Sequence, residues 1–184
     1  NKRYFPHMPS LLANQYDTPL SAGNDYLVEK LPFAEREINM RLLARDNNPI
    51  AGGFSYANVQ FFVAGDAGPF RVTSQPEEVT WEVGTTETVN WDVANTADPA
   101  GVNSAQVDIY LSIDGGDNFD IVLAEAAAND GTHDIVVPIV PTRTACRLMV
   151  KSTDNIFFDI NDSFFTIHNS AVPQVTVDAT TITL

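Results

Sequence analysis

Gln106-Val107-Asp108-Ile109-Tyr110-Leu111-Ser112-Ile113 is the stretch on which the fold turns. Val107, Ile109, Leu111 and Ile113 recur at every second position, so an extended chain places all four on one face. Outward from it the same period returns. Cys146–Lys151 puts Cys146, Leu148 and Val150 on one face and Arg147 and Lys151 on the other. In Thr88–Val93, Val89, Trp91 and Val93 alternate with Asn90 and Asp92. Shorter strands are predicted at Phe70–Ser74, Thr80–Val83, Ile121–Leu123, His133–Val137 and Phe164–Ile167. About seven short strands in roughly 100 residues, with turn residues between them, is the pattern of a β-sandwich, here placed over residues 69–168.

Residues 1–37 read as irregular, because Pro6, Pro9, Pro19 and Pro32 interrupt any long helix, with at most a single turn at Leu11, Leu12 and Ala13. Two further strands are predicted at Ile38–Arg45 and Asn58–Ala64. They are joined by a polar turn, Asp46-Asn47-Asn48-Pro49, and Gly52-Gly53. They read as a hairpin, and two strands alone do not make a stable domain. The segment must lean on its neighbour or be the latter part of a domain that begins earlier. Gly65–Pro69 is the predicted boundary. Residues 169–184, rich in Thr and Val, read as a linker or the start of a further segment. The predicted fold class is therefore all-β: an immunoglobulin/fibronectin-III-like β-sandwich preceded by a partial, hairpin-containing β-domain.

Apolar residues make up 44% of the 184, enough for a core, while charged residues are only 18%. The net charge of −14 argues against binding nucleic acid and suits cations such as calcium, which takes oxygen ligands. Cys146 is the single cysteine, so no internal disulfide forms. No apolar run is long enough for a membrane-spanning helix. No signal peptide stands at Asn1, so a secreted parent would carry it upstream.

Ser112-Ile113-Asp114-Gly115-Gly116-Asp117-Asn118-Phe119 fits Ser-x-Asp-x-Gly-x-(Thr/Asn)-aromatic and resembles an Asp-box hairpin. A carboxylate in such a turn accepts backbone N–H bonds, and the glycines take positive φ. The functional alternative is a calcium loop using Asp114, Asp117 and Asp120, although the spacing is not that of an EF-hand. Asp154 and Asp159, in Asp154-Asn155-Ile156-Phe157-Phe158-Asp159, are the other candidate calcium ligands, against a plain solvated loop. Arg45-Asp46-Asn47-Asn48 is a third turn of this kind. His7, His133 and His168 are scattered, with no His-Glu-x-x-His pair, no Gly-x-Ser-x-Gly elbow and no P-loop. Cys146 sits on an apolar strand face and reads as inert core. Trp91 reads as core. Trp81 and Tyr110 leave open an aromatic platform for carbohydrate.

Several runs occur in an order found in a known setting. They are Tyr4-Phe5-Pro6, Leu31-Pro32, Asn39–Asn47, Ala67–Ser74, Trp81–Gly84, Val89–Ala94, Val107–Ser112, Asp114-Gly115-Gly116 and Lys151–Asp159. Together, over residues 2–168, they resemble the region that follows the catalytic domain in large secreted, reprolysin-like (metzincin) zinc metallopeptidases of bacteria. The resemblance implies that residues 1–68 are the C-terminal part of an immunoglobulin- or PKD-like β-domain. It also implies that zinc and catalysis belong to a parent domain outside this chain. No residue here matches the family's zinc motif, so no catalytic role carries over.

Four functions follow as expectations. The first is a non-catalytic accessory region of a secreted metallopeptidase, acting as spacer, stabiliser or docking surface for protein or polysaccharide, and partnering the parent catalytic domain. The second is a calcium-stabilised adhesion module. The third is a carbohydrate-binding module. The last is an independent hydrolase. A monomer or weak dimer is expected, the unpaired edges of the hairpin being open to another chain.

Overall fold

The computed structural model describes residues 4, 6–14, 32, 34–46, 48 and 51–170. Asn47 of the hairpin turn, residues 15–31 of the irregular N-terminal stretch and residues 171–184 of the expected linker lie outside them. Eleven strands and one short helix, α1 (Met8–Leu12), are formed among the described residues. β1 (Arg36–Arg45) and β2 (Phe54–Val63) make a two-stranded antiparallel sheet. The sandwich follows. β3 (Arg71–Val72), β5 (Thr86–Asp92) and β8 (Thr132–Val136) form one sheet in the order β3-β5-β8. β4 (Thr80–Glu82), β6 (Gln106–Ser112), β7 (Ile121–Ala128), β9 (Arg143–Ser152), β10 (Phe158–Ile160) and β11 (Phe165–His168) form the other. Its order is β4-β11-β9-β6-β7, with β10 sharing the edge of β9 that β11 also uses.

This is an all-β, immunoglobulin-like arrangement. Its first strand is split between the sheets: β3 pairs antiparallel with β5, while β4 pairs parallel with the last strand, β11. The crossing between β3 and β4 has a local cause. Gln75 takes a positive φ of 54° and Pro76 follows it, so the chain leaves the first sheet and cannot rejoin its ladder.

The core lies between the sheets. Val107, Ile109 and Leu111 of β6, Cys146, Leu148 and Val150 of β9, and Phe165 and Ile167 of β11 face Val72, Val89, Trp91 and Ile135 from the opposite layer. Each such side chain stabilises the fold by about 1.5–3 kcal/mol relative to exposure. The period-two reading of β5, β6 and β9 thus matches the buried set. Trp81 joins the core as well, with its ring centroid 4.6 Å from that of Phe165.

Three elements differ from expectation. β7 runs on to Ala128 instead of stopping near Leu123, because pairing with β6 outweighs the helix-forming run Ala124-Glu125-Ala126-Ala127-Ala128. The extension carries an irregularity: Ala126 has φ 51°, and its N–H donates to the Asp108 carboxylate at 2.9 Å. β10 (Phe158–Ile160) forms where a solvated loop is expected. β2 starts at Phe54 and pairs in unbroken register with β1, from Arg36↔Val63 to Arg45↔Phe54.

Tyr4 and residues 6–14 belong by contact to the sandwich, although they fall in the range 1–68 expected for the first domain. The Tyr4 ring stands edge-on to Phe158 at 5.5 Å. Leu11 is buried, and so are Met149 and Ile160, which are register partners on β9 and β10 outside the main core. Leu12 lies so close to Gly116 that a Cβ added there would stand 2.4 Å from a Leu12 methyl. β9 is consequently buried on both faces from Cys146 to Val150.

Candidate functional site

The Asp114 turn forms as an Asp-box reading expects. Asp114 Oδ1 accepts the Ser112 hydroxyl at 2.6 Å and the Asn118 N–H at 3.0 Å, and Oδ2 accepts the Asn118 amide at 2.8 Å. Ser112 Oγ in turn accepts the Gly116 N–H at 2.9 Å. Gly115 and Gly116 take φ of 83° and 99°. The Ser112 and Asn118 side chains hold the Asp114 carboxyl below the usual carboxylate value. Its oxygens are thus committed to the turn itself. Asp117 and Asp120 are exposed beside it. Among the described residues, no group of three or more His, Cys, Asp or Glu side chains is placed to hold a metal ion.

Asp154 and Asp159 turn to different partners. Asp154 Oδ1 accepts the Ser104 hydroxyl at 3.2 Å and the Ser152 hydroxyl at 3.1 Å, and those two hydroxyls lie 2.7 Å apart. This small network pins the loop before β6 to the end of β9. Asp159, on β10, sits opposite Val150, whose side chain is in the core, and its Oδ2 accepts the Val72 N–H at 2.7 Å. It ties β3, a strand with only two ladder residues, to the opposite sheet. Burial pushes the Asp159 carboxyl up to about 6, against the lowering effect of the Val72 and Ile160 N–H groups. Asp162 nearby raises it further, and Arg71 lowers it. In the hairpin turn, Asp46 accepts the N–H groups of Asn48 and Gly53, which hold its carboxyl low.

The aromatic platform loses Trp81, and Trp91 is core as expected. Trp81 and Trp91 are buried, and the Trp91 indole N–H donates to Asn129 Oδ1 at 2.9 Å. The buried Asn129 amide also donates to Thr96 Oγ1 at 3.0 Å and to the Ser104 carbonyl at 2.9 Å, closing a fully paired network. The Tyr110 hydroxyl donates to Asp108 Oδ2 at 3.1 Å, and burial raises its pKa. Cys146 is sealed in the core, where burial pushes the thiol up and away from a reactive thiolate. The histidines stand on separate elements: His7 is at the N-cap position of α1 without a side-chain cap bond, His133 is on β8, and His168 on β11 meets Glu82 at 2.8 Å.

Arg147 is the residue the sequence reading misplaced. Strand alternation puts it on the outer face of β9, but it is buried there. Its guanidinium stacks 4.3 Å from the Phe164 ring centroid and donates to the Asn161 carbonyl and, at 2.9 Å, to the Leu12 carbonyl. Asn14 adds a bond from its side-chain amide to the Asp162 carbonyl at 2.8 Å. Arg147 is thus the clasp that fastens residues 4–14 to the sandwich. The other passage of the chain is fastened too: Gly68 N–H donates to the Ala94 carbonyl at 2.7 Å, and the Asn95 amide to the Asp66 carbonyl at 3.1 Å. No signal within either segment shows these pairings, since each partner is remote in sequence.

No protein-family model matches the chain. No curated protein matches it either. Among solved structures, it is similar to a chimeric titin Z1Z2 functionalized with a KLER exogenous peptide from decorin, at 10% identity and a TM-score of 0.31. The alignment covers 77% of this chain and 65% of that one. Among the described residues, no helix is long and apolar enough to cross a membrane.

Proposed function

We propose that this chain is a non-catalytic accessory region of a secreted bacterial zinc metallopeptidase, serving as a spacer and docking support for a catalytic domain carried elsewhere in the parent. The observation that carries this reading is the double fastening of the sandwich. The N-terminal segment is clasped by Arg147 and the Asp162 carbonyl, and residues 66–68 by Ala94 and Asn95. A sandwich that grips both its N-terminal segment and the chain passage after β2 holds those segments in place, which is the mechanical requirement of a spacer. The order of sequence runs resembling the region behind reprolysin-like catalytic domains supports the same reading. The zinc of such a parent is outside this chain, whose sequence has no His-Glu-x-x-His.

The parent reading frame provides the first test: a His-Glu-x-x-His motif upstream is expected, and its absence contradicts the peptidase assignment. Deleting residues 1–184 from the secreted parent is the second. Turnover of a short peptide should be unchanged, while cleavage of a folded or polymeric protein substrate should slow. Loss of peptide hydrolysis from a correctly folded catalytic domain would mean that this region supplies reacting groups.

A further inference from the structure

The β1–β2 hairpin departs in charge from the rest of the chain. It holds Arg36, Arg41 and Arg45 against Glu37 and Asp46, so it is net positive in a chain of net charge −14. The register places Arg41, Leu43 and Arg45 on one face, with Asn58, Tyr56 and Phe54 opposite them. Toward the base of that face, Gln60 bonds to Glu37 and Asn39, so these polar groups satisfy one another. Toward the tip the face is open, with Phe54 71% and Tyr56 55% exposed. There the Arg41 guanidinium lies 4.5 Å from the Tyr56 ring centroid, and its Nε–H donates to Asn58 Oδ1 at 2.8 Å. Stacked and tethered in this way, it keeps its two terminal NH2 groups for a ligand. Arg45 makes no side-chain hydrogen bond or ion pair among the described residues. It lines a cleft of about 350 Å³ together with Leu43, Asp46, Gly52, Gly53 and Phe54. The Asp46 carboxylate is turned to the Asn48 and Gly53 N–H groups.

We propose that this tip face docks an extended acidic polypeptide, with one carboxylate on Arg41, a second on Arg45 and an apolar side chain between them on Leu43 and Tyr56. Three observations select that partner. The first is sign. Two guanidinium groups on the positive element of an otherwise acidic chain call for an anion. The second is shape. A guanidinium is a planar fork that matches a carboxylate in two hydrogen bonds, and the Tyr56 ring and Asn58 hold that of Arg41 in place. The third is repeat. Arg41, Leu43 and Arg45 stand at every second position of β1, which sets the arginines about 14 Å apart. An extended peptide has the same repeat, so its residues i, i+2 and i+4 meet the three in turn when they are acidic, apolar and acidic. A polysaccharide would not supply the apolar group in the middle. The inference deepens the docking role proposed above and rests on it for its setting alone, because binding is read on the chain by itself.

Fluorescence anisotropy of a labelled peptide, Ser-Glu-Ser-Leu-Ser-Glu-Ser, titrated with the full chain is the test. Saturable binding that weakens as salt rises is expected. The same peptide with Gln in place of both Glu residues should bind about tenfold more weakly, and Arg45→Gln should weaken binding of the Glu peptide about two- to fivefold. Arg45→Lys should restore part of that loss. Arg36→Gln removes the same charge from the other face of the hairpin and should leave binding unchanged. Arg45 holds no side-chain bond of the hairpin, so its replacement leaves the β1–β2 pairing in place, and the Trp81 and Trp91 fluorescence melt reports that the sandwich of each variant is folded. Equal affinity for the Glu and Gln peptides overturns the proposal, as does equal loss in Arg36→Gln and Arg45→Gln or the lack of saturation at millimolar chain. Binding of an oligogalacturonate without binding of the peptide overturns it in favour of an anionic polysaccharide. A parent reading frame without the zinc motif would remove the peptidase assignment and leave each of these outcomes as it stands.

Discussion

β9 and β1 are both ten residues long and both carry apolar side chains at alternate positions. In β9 the alternation ends in complete burial, with Cys146, Leu148 and Val150 against the second sheet and Met149 buried on the opposite face. In β1 it ends in exposure at Leu42, with Ile38 and Met40 only half-buried. The difference is not in the strands. It lies in whether another layer is present. Period-two patterning sets which face a strand would bury, and only tertiary contacts decide whether it does.

If the comparison holds, substitutions should separate the two regions by size of effect. Leu148→Ala removes a side chain from the centre of the core and is expected to cost about 3–5 kcal/mol, lowering the sandwich melt by tens of degrees or abolishing folding. Asn129→Ala leaves the Trp91 indole, the Thr96 hydroxyl and the Ser104 carbonyl without their shared partner. About 2–4 kcal/mol should be lost in a urea titration followed by tryptophan fluorescence.

Asp159 tests the clasp between the sheets through pH. Its native carboxyl titrates at about 6, against 3.8 as the ordinary value. Between those values the native state holds a proton that the unfolded chain has released. The stabilisation from this group is therefore full below about pH 4 and is lost as pH rises through 6, by at most ~3 kcal/mol. Asp159→Asn keeps an acceptor for the Val72 N–H and removes the charge. It should flatten the stability profile between pH 4 and 7 and raise the melting temperature at pH 7.5, and an unaltered slope would count against the burial assigned to this group. Asp114 acts in the opposite sense and in a different window. Its lowered carboxyl loses stabilisation only as pH falls below 3.8.

Gly116→Ala puts a Cβ into Leu12 at a position with φ of 99°. A cost of about 1–2 kcal/mol is expected, with faster proteolysis within residues 4–14 as the more specific readout. Leu42→Ser, in the bare hairpin, should move the sandwich melt by no more than about 0.5 kcal/mol. A larger change would mean that the hairpin is energetically part of the sandwich.

Much of the sandwich was legible in sequence because its strands alternate over a single buried face. The Val107-Ile109-Leu111 set needs no partner to be recognised. The Asp114 turn was legible for a similar reason, all its bonds lying between Ser112 and Asn118. What escaped depends on remote contacts. Asp159 looked like a loop ligand, and its inward turn follows from β10 pairing with β9, which no local pattern in Phe157-Phe158 announces. Arg147 looked like a solvated strand residue until the Leu12 carbonyl and the Phe164 ring supplied its surroundings. The Ala-rich half of β7 fell outside the predicted strand because only its pairing with β6 makes it extended.

Native-state hydrogen exchange, read by mass spectrometry, tests the contrast most directly. Amides of β6 and β9 should exchange only through global unfolding, whereas those of β1 and β2 should exchange through local opening, several orders of magnitude faster. Equal protection of the hairpin and the sandwich would contradict the account, because the bare sheet would then be as firmly held as the enclosed one.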